Sequence, residues 1–237
     1  MQLVQCTQVT KTYRQGKILV TALRDIDLDI EQGGFVALSG PSGSGKTTLL
    51  NLIGGLDQPD SGRILVNGLD FAYLSSAQLA DLRLRHIGFI FQSFNLIPVL
   101  SAEENVEYVM LLQGVPGRER TQRARAILEE VGLRNMFTRR PAELSGGQQQ
   151  RVAVARAMVS NPSLILADEP TANLDSQTGE GLLHMMRTMN ISRRTTFIFS
   201  THDPMVISYA NRVITLRDGM LATDRIREDP APVGSPT

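Results

Sequence analysis

The sequence lacks several features that are typical of specialised classes of protein. It contains one cysteine, Cys6, so no disulfide can form within the chain, and a single thiol suits a reducing compartment. Its 24 Lys and Arg residues balance 24 Asp and Glu residues, so the composition lacks the basic excess typical of nucleic-acid-binding proteins. We expect Cys6 to be a small buried side chain, and we expect no nucleic-acid partner.

Long hydrophobic runs are also missing. No stretch approaches the roughly 18 consecutive apolar residues that read as a membrane-spanning helix, and the start, Met-Gln-Leu-Val-Gln, lacks the basic and apolar regions of a signal peptide. Apolar residues still make up 42% of the 237 residues, which is ordinary for a globular protein of one large domain. We therefore expect the chain to reach a membrane only through a partner.

The pattern of apolar residues predicts an α/β fold. Residues 23–30 alternate between apolar and charged, with one extra charged residue at 24–25, as in a half-buried antiparallel strand, and residues 3–10 alternate loosely. Short apolar runs predict buried strands over 35–39, 87–91, 164–167 and 195–199. Helices are predicted over about 101–112, 118–131, 147–160 and 176–189. The last residues, 228–237, are rich in proline and small residues and are predicted to be a disordered tail.

A glycine-rich motif joins a predicted buried strand to a predicted helix. Residues 40–47 read Gly-Pro-Ser-Gly-Ser-Gly-Lys-Thr, a full match to the P-loop pattern in the strand–loop–helix context that the pattern requires. Glycine frees successive backbone N–H groups to face phosphate oxygens at the start of a helix. Lys46 adds a positive charge for the β- and γ-phosphates, and Thr47 offers a hydroxyl to Mg²⁺. The motif predicts a nucleotide site.

Two acidic residues, Asp168 and Glu169, follow the predicted strand 164–167 at its carboxyl end. Open α/β sheets bind their ligands at this edge. One carboxylate can hold Mg²⁺, and the next can polarise the water that attacks a phosphate. Two acids in this position could also simply face solvent, but a P-loop upstream favours the catalytic interpretation.

A second glycine-rich segment, Leu-Ser-Gly-Gly-Gln at 144–148, opens another predicted helix. Its N–H groups and its serine hydroxyl are again suited to an anion. The P-loop already surrounds the phosphates of its own nucleotide, so a second anion-binding helix start indicates a second face of contact. A glycine pair alone would indicate no more than a hinge.

Taken in order, these motifs resemble an ABC-type ATPase domain over nearly the whole chain. The resemblance gives roles to three more residues: Tyr13 stacks on adenine, Gln92 is the Q-loop glutamine, and His202 is the switch histidine. It implies an ATP site made of Tyr13, Ser39, Gly40, Pro41, Ser42, Gly43, Ser44, Gly45, Lys46, Thr47 and Thr48, with Ser145, Gly146, Gly147, Gln148 and Asp175 supplied by a partner subunit. It implies Glu169, His202, Gln92 and Lys46 as catalytic residues, and Thr47, Gln92 and Asp168 as Mg²⁺ ligands.

The resemblance also implies an architecture and an assembly. We expect a P-loop NTPase core with a mixed sheet, an N-terminal antiparallel β-subdomain and a helical subdomain over about 93–145, all in a single ATPase domain spanning 1–227. ATP and Mg²⁺ are the expected cofactors. ATP is expected to hold two copies of the chain together head to tail, and hydrolysis to let them part.

Several kinds of ABC ATPase share these motifs. The helical insert is too short for the long coiled coil of DNA-repair and chromosome-structure ATPases, and one domain does not suit translation-factor types. The remaining interpretation is the ATPase subunit of a transporter, bound peripherally to an integral membrane permease at the cytoplasmic face of a bacterial inner membrane. The apolar loop 93–98 either forms a groove for the permease or packs Phe94 and Ile97 under the helical insert, and both interpretations stay open.

Within the family, three stretches most resemble one bacterial subgroup. Residues 91–98, 167–175 and 217–219 are similar to the lipoprotein-release, macrolide-efflux and cell-division ATPases (the LolD, MacB and FtsE types). This similarity implies export or release of a lipoprotein, a peptide or a hydrophobic compound, with periplasmic or outer-membrane components reached through the permease. The alternative is a regulatory ATPase that signals through a membrane partner to a cell-envelope enzyme without transport.

Overall fold

The computed structural model describes residues 1–16 and 18–227, and the tail predicted over 228–237 lies outside them. Elements are numbered in chain order. The strands are β1 Gln2–Gln15, β2 Ile18–Glu31, β3 Phe35–Ser39, β4 Ser61–Val66, β5 Leu69–Asp70, β6 Ile87–Ile90, β7 Leu164–Asp168, β8 Thr196–Ser200, β9 Arg212–Arg217 and β10 Met220–Ile226. The α-helices are α1 Lys46–Ile53, α2 Ser76–His86, α3 Ala102–Leu112, α4 Gly117–Glu130, α5 Gly146–Met158, α6 Ser176–Arg193 and α7 Pro204–Tyr209, with short 3₁₀ turns at Phe71–Tyr73 and Pro141–Glu143.

The smaller sheet is antiparallel and has the strand order β2-β1-β4-β5. Its apolar face buries Leu23, Ile26, Leu28 and Ile30 of β2, which confirms the predicted half-buried strand. The alternation shifts by one residue at Asp25, whose φ is 46°, and the pairing register shifts there as well. Strand β1 is longer than predicted.

Strands β4 and β5 are elements that the sequence did not predict. Only two of the six β4 side chains, Ile64 and Val66, are buried, so the segment has a weak hydrophobic signal of its own. Pairing with the middle of β1 fixes it as a strand. Cys6 of β1 pairs with Ile64 and is buried as expected, and burial, followed by the nearby Asp29 and Asp27 carboxylates, raises the pKa of its thiol to about 12.

The larger sheet is mixed, with the order β10-β9-β3-β8-β7-β6. The five strands from β9 to β6 run parallel, and β10 pairs antiparallel with β9 at the edge. Every side chain of β3 and β8 is buried, as expected for central strands covered on both faces. The predicted α/β fold with a mixed sheet and an antiparallel β-subdomain is confirmed.

Helices α3 and α4 lie between β6 and α5 in the chain and pack against each other and against α5. The α3 helix begins with the predicted capping box, in which Ser101 accepts from the Glu104 N–H and Glu104 accepts from the Ser101 N–H. One apolar cluster continues from these helices to the sheet. Within the described ranges, no helix combines the length and the apolarity that crossing a membrane requires.

The topology brings several loops to one edge of the larger sheet. Strands β3, β8 and β7 are parallel neighbours, so the segments that follow Ser39, Ser200 and Asp168 emerge at the same end. These segments carry the P-loop, His202 and the acidic pair. The fold therefore places the three predicted motifs together.

Candidate active site

The P-loop joins β3 to α1 through a backbone that only glycine accommodates. Gly45, the residue before α1, has φ 101°, and a side chain there would lie 2.6 Å from the carbonyl oxygen of Ala22. Gly40 has φ 141°, and a side chain would collide with the carbonyl oxygen of Leu216. Other residues rarely adopt these conformations. The glycines let the loop pass close to β2 and β9 and turn into the helix.

The loop presents unpaired hydrogen-bond donors. In the described part of the chain, the N–H groups of Gly43, Gly45, Lys46 and Thr47 have no hydrogen-bond acceptor. The Ser44 hydroxyl is buried and likewise lacks a partner among the described residues. Buried polar groups in proteins are normally paired. The free donors at a helix start fit a polyphosphate, which would accept from them.

The Lys46 ammonium lies inside the loop and donates hydrogen bonds to the backbone of the loop. Its Nζ donates to the carbonyl oxygens of Gly40 at 2.8 Å and Pro41 at 2.9 Å. Beside it is a cleft of about 470 Å³. The cleft is lined by Ala22, Pro41, Ser42, Gly43, Gly45, Lys46, Thr47, Thr48, Gln92, Glu169, Ala172, Ser200 and His202.

Thr47 and Asp168 meet at the edge of this cleft. The Thr47 hydroxyl donates to Asp168, at 3.1 Å from Oδ1 and 3.3 Å from Oδ2. Hydroxyl and carboxylate oxygens are ligands that Mg²⁺ accepts, and Mg²⁺ usually takes its remaining ligands from water and from substrate phosphates. The described residues contain no group of three or more acidic, His or Cys side chains that could hold a metal.

Two residues of the segment that follows β8 contact the Glu169 carboxylate. Its Oε2 accepts from the Thr201 hydroxyl at 2.9 Å, and its Oε1 lies 2.6 Å from Nδ1 of His202. Its backbone has φ 45°, an uncommon value for a non-glycine residue, and its N–H donates to the Ser200 carbonyl at 2.9 Å. The carboxylate is thus held in one orientation at the cleft, while His202 is largely exposed.

Gln92 also lines the cleft, at the start of the loop that follows β6. Its carbonyl oxygen accepts from Nδ2 of Asn173 at 2.8 Å. The buried Asn105 of α3 holds a later part of this loop. It accepts from the Ile97 N–H and donates to the carbonyls of Ile97, Leu100 and Ser101. The loop is therefore held by side chains from outside it.

Tyr13 sits near the end of β1, where a charged pair fixes it. Its hydroxyl donates to Asp57 Oδ2 at 2.8 Å, and the Lys11 Nζ lies 5.1 Å from its ring centroid. Lys11 also donates to Asp57 Oδ1 at 2.8 Å. Burial alone would raise the pKa of Asp57, but the hydrogen bonds from Lys11 and Tyr13 lower that pKa overall, which keeps the carboxylate ionised.

The second glycine-rich motif forms a separate surface. Ser145 caps α5 by accepting from the Gln148 N–H at 3.3 Å, and Gln148 accepts from the Ser145 N–H at 2.9 Å. A side chain on Gly147 would collide with Thr178, whose N–H donates to Asp175 at 2.9 Å. None of the residues assigned to the partner's ATP lines the P-loop cleft.

The predicted ATP residue Ser39 does not line the cleft, and three residues that contact the site were not predicted. Ser39 is directed away from the cleft: its hydroxyl pairs with that of Thr215 on β9 at 3.0 Å. Asn173, Thr201 and Asp57 contact site residues but were not singled out from the sequence. Thr201 is the one with a local signal, because it precedes His202 and follows a buried strand.

Comparison with known proteins identifies the family. A family model described as "ABC transporter" matches residues 23–172, more than half of the chain. The chain belongs to the ABC transporter family. This confirms the resemblance of the motifs and identifies the protein as the ATP-binding, ATP-hydrolysing component of an ABC transporter.

Relatives of this ABC cassette include a lipoprotein-releasing ATPase and a macrolide exporter. It is 41% identical over 220 residues to the lipoprotein-releasing system ATP-binding protein LolD of Colwellia psychrerythraea, covering 93% of this chain and 85% of LolD. It is 48% identical over 223 residues to the macrolide export ATP-binding/permease protein MacB of Syntrophobacter fumaroxidans, covering 93% of this chain. The ABC cassette spans only 31% of that MacB.

A solved structure matches the cassette closely. The ATP-binding cassette MJ0796, a protein of Methanocaldococcus jannaschii, was solved as a dimer in a post-hydrolysis state bound to ADP and Pi. Its TM-score to this chain is 0.88 at 42% identity, covering 94% of this chain and 98% of that one. The match confirms the predicted P-loop NTPase fold.

Proposed function

We propose that two copies of this cassette bind ATP between them, each nucleotide lying between the P-loop of one copy and the 144–148 segment of the other. The observation that carries the proposal is the separation of the two half-sites: both present free donors to an anion, yet the second does not line the cleft of the first. A two-fold dimer would repeat each contact twice. The dimeric structure of MJ0796 supports this arrangement.

In that site, the position of each residue determines its role. Lys46 leaves the carbonyls of its own loop and pairs with the β- and γ-phosphates. Thr47 and Asp168, with Gln92, would hold Mg²⁺, and the ion would supply positive charge that neutralises the phosphates during the transfer. Glu169 accepts a proton from the attacking water, and Thr201 keeps its carboxylate in place. His202, exposed beside Glu169, contacts the γ-phosphate.

Across the dimer, the second half-site supplies the contacts that close the sandwich. The Ser145 hydroxyl accepts from the Gln148 N–H but keeps its own hydrogen to donate, so it suits a phosphate oxygen of the partner's nucleotide. The N-terminus of α5 adds the favourable end of a helix dipole. Asp175 is held at the start of α6 by Thr178, next to this surface.

The cassette drives an integral membrane permease from the cytoplasmic face of a bacterial inner membrane, where it is bound peripherally. The substrate class is a lipoprotein, a peptide or a hydrophobic compound that is exported or released, with periplasmic components engaged through the permease. The names of the LolD and MacB relatives support this class. The MacB relative is named an ATP-binding/permease protein, which supports a permease as the partner of the cassette.

The Tyr13 ring is the proposed platform for adenine, and its removal tests that role. We expect Tyr13→Ala to raise the KM for ATP roughly tenfold with little change in kcat, because base–aromatic stacking is worth about 1–3 kcal/mol. Tyr13→Phe, the matched control, keeps the ring and loses only the bond to Asp57, so its KM should stay closer to that of the wild type. Steady-state ATPase kinetics decide, and an unchanged KM for Tyr13→Ala would remove the stacking role.

The loop after Gln92 is the proposed contact with the permease. Leu96 packs against the helical core, while Ile97 is half-buried and Val99 is 69% exposed. We expect Ile97→Asp to abolish co-purification with the permease of the same organism and to leave ATP binding intact, because a carboxylate opposes burial in an apolar interface. Phe94 is a poorer test, because its ring lies near Gly146.

The control for this experiment is Leu69→Asp, which places the same charge on an apolar residue of the smaller sheet that is 45% exposed. It should co-purify with the permease as the wild type does. Full co-purification of Ile97→Asp would remove the docking role of the loop. A cassette that binds the permease, in a complex that moves no cargo, would favour the regulatory alternative.

A further inference from the structure

The loop that begins at Gln92 contains a strained turn. Phe94 and Asn95 have φ values of 61° and 50°, so two consecutive residues without glycine lie in the left-handed region. Single residues of this kind are uncommon, and they persist where surrounding groups determine the backbone. Something outside the loop must therefore hold it in this shape.

Arg156 of α5 makes that contact. Its Nη2 donates to the Phe94 carbonyl at 2.9 Å and its Nη1 donates to the Asn95 carbonyl at 2.5 Å, so one guanidinium spans both strained residues. No carboxylate of the described residues lies within salt-bridge distance of Arg156. The planar fork of arginine suits two adjacent acceptors, whereas the single ammonium of lysine cannot reproduce it.

The strained turn connects two functional regions of one chain. On one side, Gln92 lines the P-loop cleft, and Asn173 holds its carbonyl. On the other side, the Phe94 ring lies 3.8 Å from the position of a side chain on Gly146, at the start of α5. Arg156 belongs to that same helix but does not line the cleft.

We propose that Arg156 is a positioning residue for ATP hydrolysis: it fixes the turn at Phe94 and Asn95 and thereby keeps the Gln92 side chain in the ATP cleft. The inference rests on the role proposed for Gln92. Helix α5 would then have two functions. It presents the 144–148 segment to the partner's nucleotide, and it moves the Gln92 loop, because the two Arg156 hydrogen bonds connect the helix to that loop.

The test compares Arg156→Lys with Arg151→Lys. Arg151 is on the same helix and also donates to a backbone carbonyl, that of Val131 at 2.7 Å, but its contacts do not include the Gln92 loop. We expect Arg156→Lys to lower kcat for ATP roughly tenfold to a hundredfold, because small displacements of a positioned group have effects of this size. Its KM should change less than about twofold, as ATP binding rests mainly on the P-loop. Arg151→Lys should match the wild type in both constants.

Gln92→Ala and the double variant complete the test. If Arg156 acts through Gln92, Gln92→Ala with Arg156→Lys should be no slower than Gln92→Ala alone. If the two substitutions lower kcat independently, so that their effects multiply in the double variant, the proposal is overturned. A wild-type kcat for Arg156→Lys together with a slow Gln92→Ala would also overturn it, and would leave the proposed function intact. A wild-type kcat for Gln92→Ala would instead overturn the role of Gln92 itself, and the positioning role with it.

Discussion

Replacing Glu169 by Gln is expected to give a protein that binds ATP and dimerises but hydrolyses ATP at least roughly 100-fold more slowly. General-base catalysis by a positioned side chain contributes about 10²–10⁴ in rate. Glutamine has the shape of glutamate and can still accept from the Thr201 hydroxyl, so the loop should keep its form. It carries no charge and cannot take a proton from water. The γ-phosphate then stays in place, and the two copies remain joined.

The effect of Glu169→Gln is measured in two ways. Phosphate release reports turnover, and size-exclusion chromatography with light scattering in ATP and Mg²⁺ reports mass. Glu180→Gln is the matched control, because it makes the same change on the exposed start of α6. It should turn over normally and show no lasting dimer. A Glu169→Gln protein that binds ATP but stays monomeric, with or without the permease, would remove the main support for the ATP sandwich.

Gly146→Asp is expected to abolish ATPase activity as completely as the loss of the P-loop lysine, without lowering thermal stability. A side chain at Gly146 would meet its nearest neighbour, the Asn173 carbonyl oxygen, at 3.7 Å, an ordinary contact distance. An acidic residue in the first turn of a helix is favourable to the helix. The same carboxylate would repel the phosphates of the partner's ATP. Gly147 is unsuitable for this test because a side chain there collides with Thr178.

Gly117→Asp is the control for Gly146→Asp. Gly117 is likewise the first residue of a helix, α4, and has room for a side chain, with its nearest neighbour at 3.8 Å. Both variants should unfold at or above the wild-type temperature, and only Gly146→Asp should lose ATP hydrolysis. Binding of a fluorescent ATP analogue to the P-loop should survive in both. Wild-type turnover by Gly146→Asp would show that α5 does not reach a nucleotide.

The sequence could predict the site where chemistry depends on consecutive residues. The P-loop is such a case, because its glycines and the helix after it determine both backbone and charge. The same holds for Ser145, whose capping of α5 follows from local pattern. The alternation of β2 and the apolar runs of the larger sheet likewise predicted the fold class, since burial follows periodicity directly.

The contacts that tune the site could not be predicted in this way. Asp57 meets Tyr13 across 44 residues of sequence, and Asn173 meets Gln92 across 81. No local pattern encodes such pairs, because the strand order brings them together. The same reason explains β4, which is a strand only beside β1, and Ser39, whose hydroxyl pairs with β9 although it immediately precedes the P-loop.

If each ATP is bound between two chains, mixing two inactive variants should restore ATP hydrolysis. Lys46→Ala disables one half-site and Gly146→Asp the other. In a mixed dimer, one of the two composite sites has an intact P-loop from the Gly146→Asp chain and an intact 144–148 segment from the Lys46→Ala chain. We expect an equal mixture to regain ATPase activity, up to about a quarter of the wild-type rate, because about half of random dimers are mixed and each has one intact site. A mixture no more active than the separate variants would contradict it.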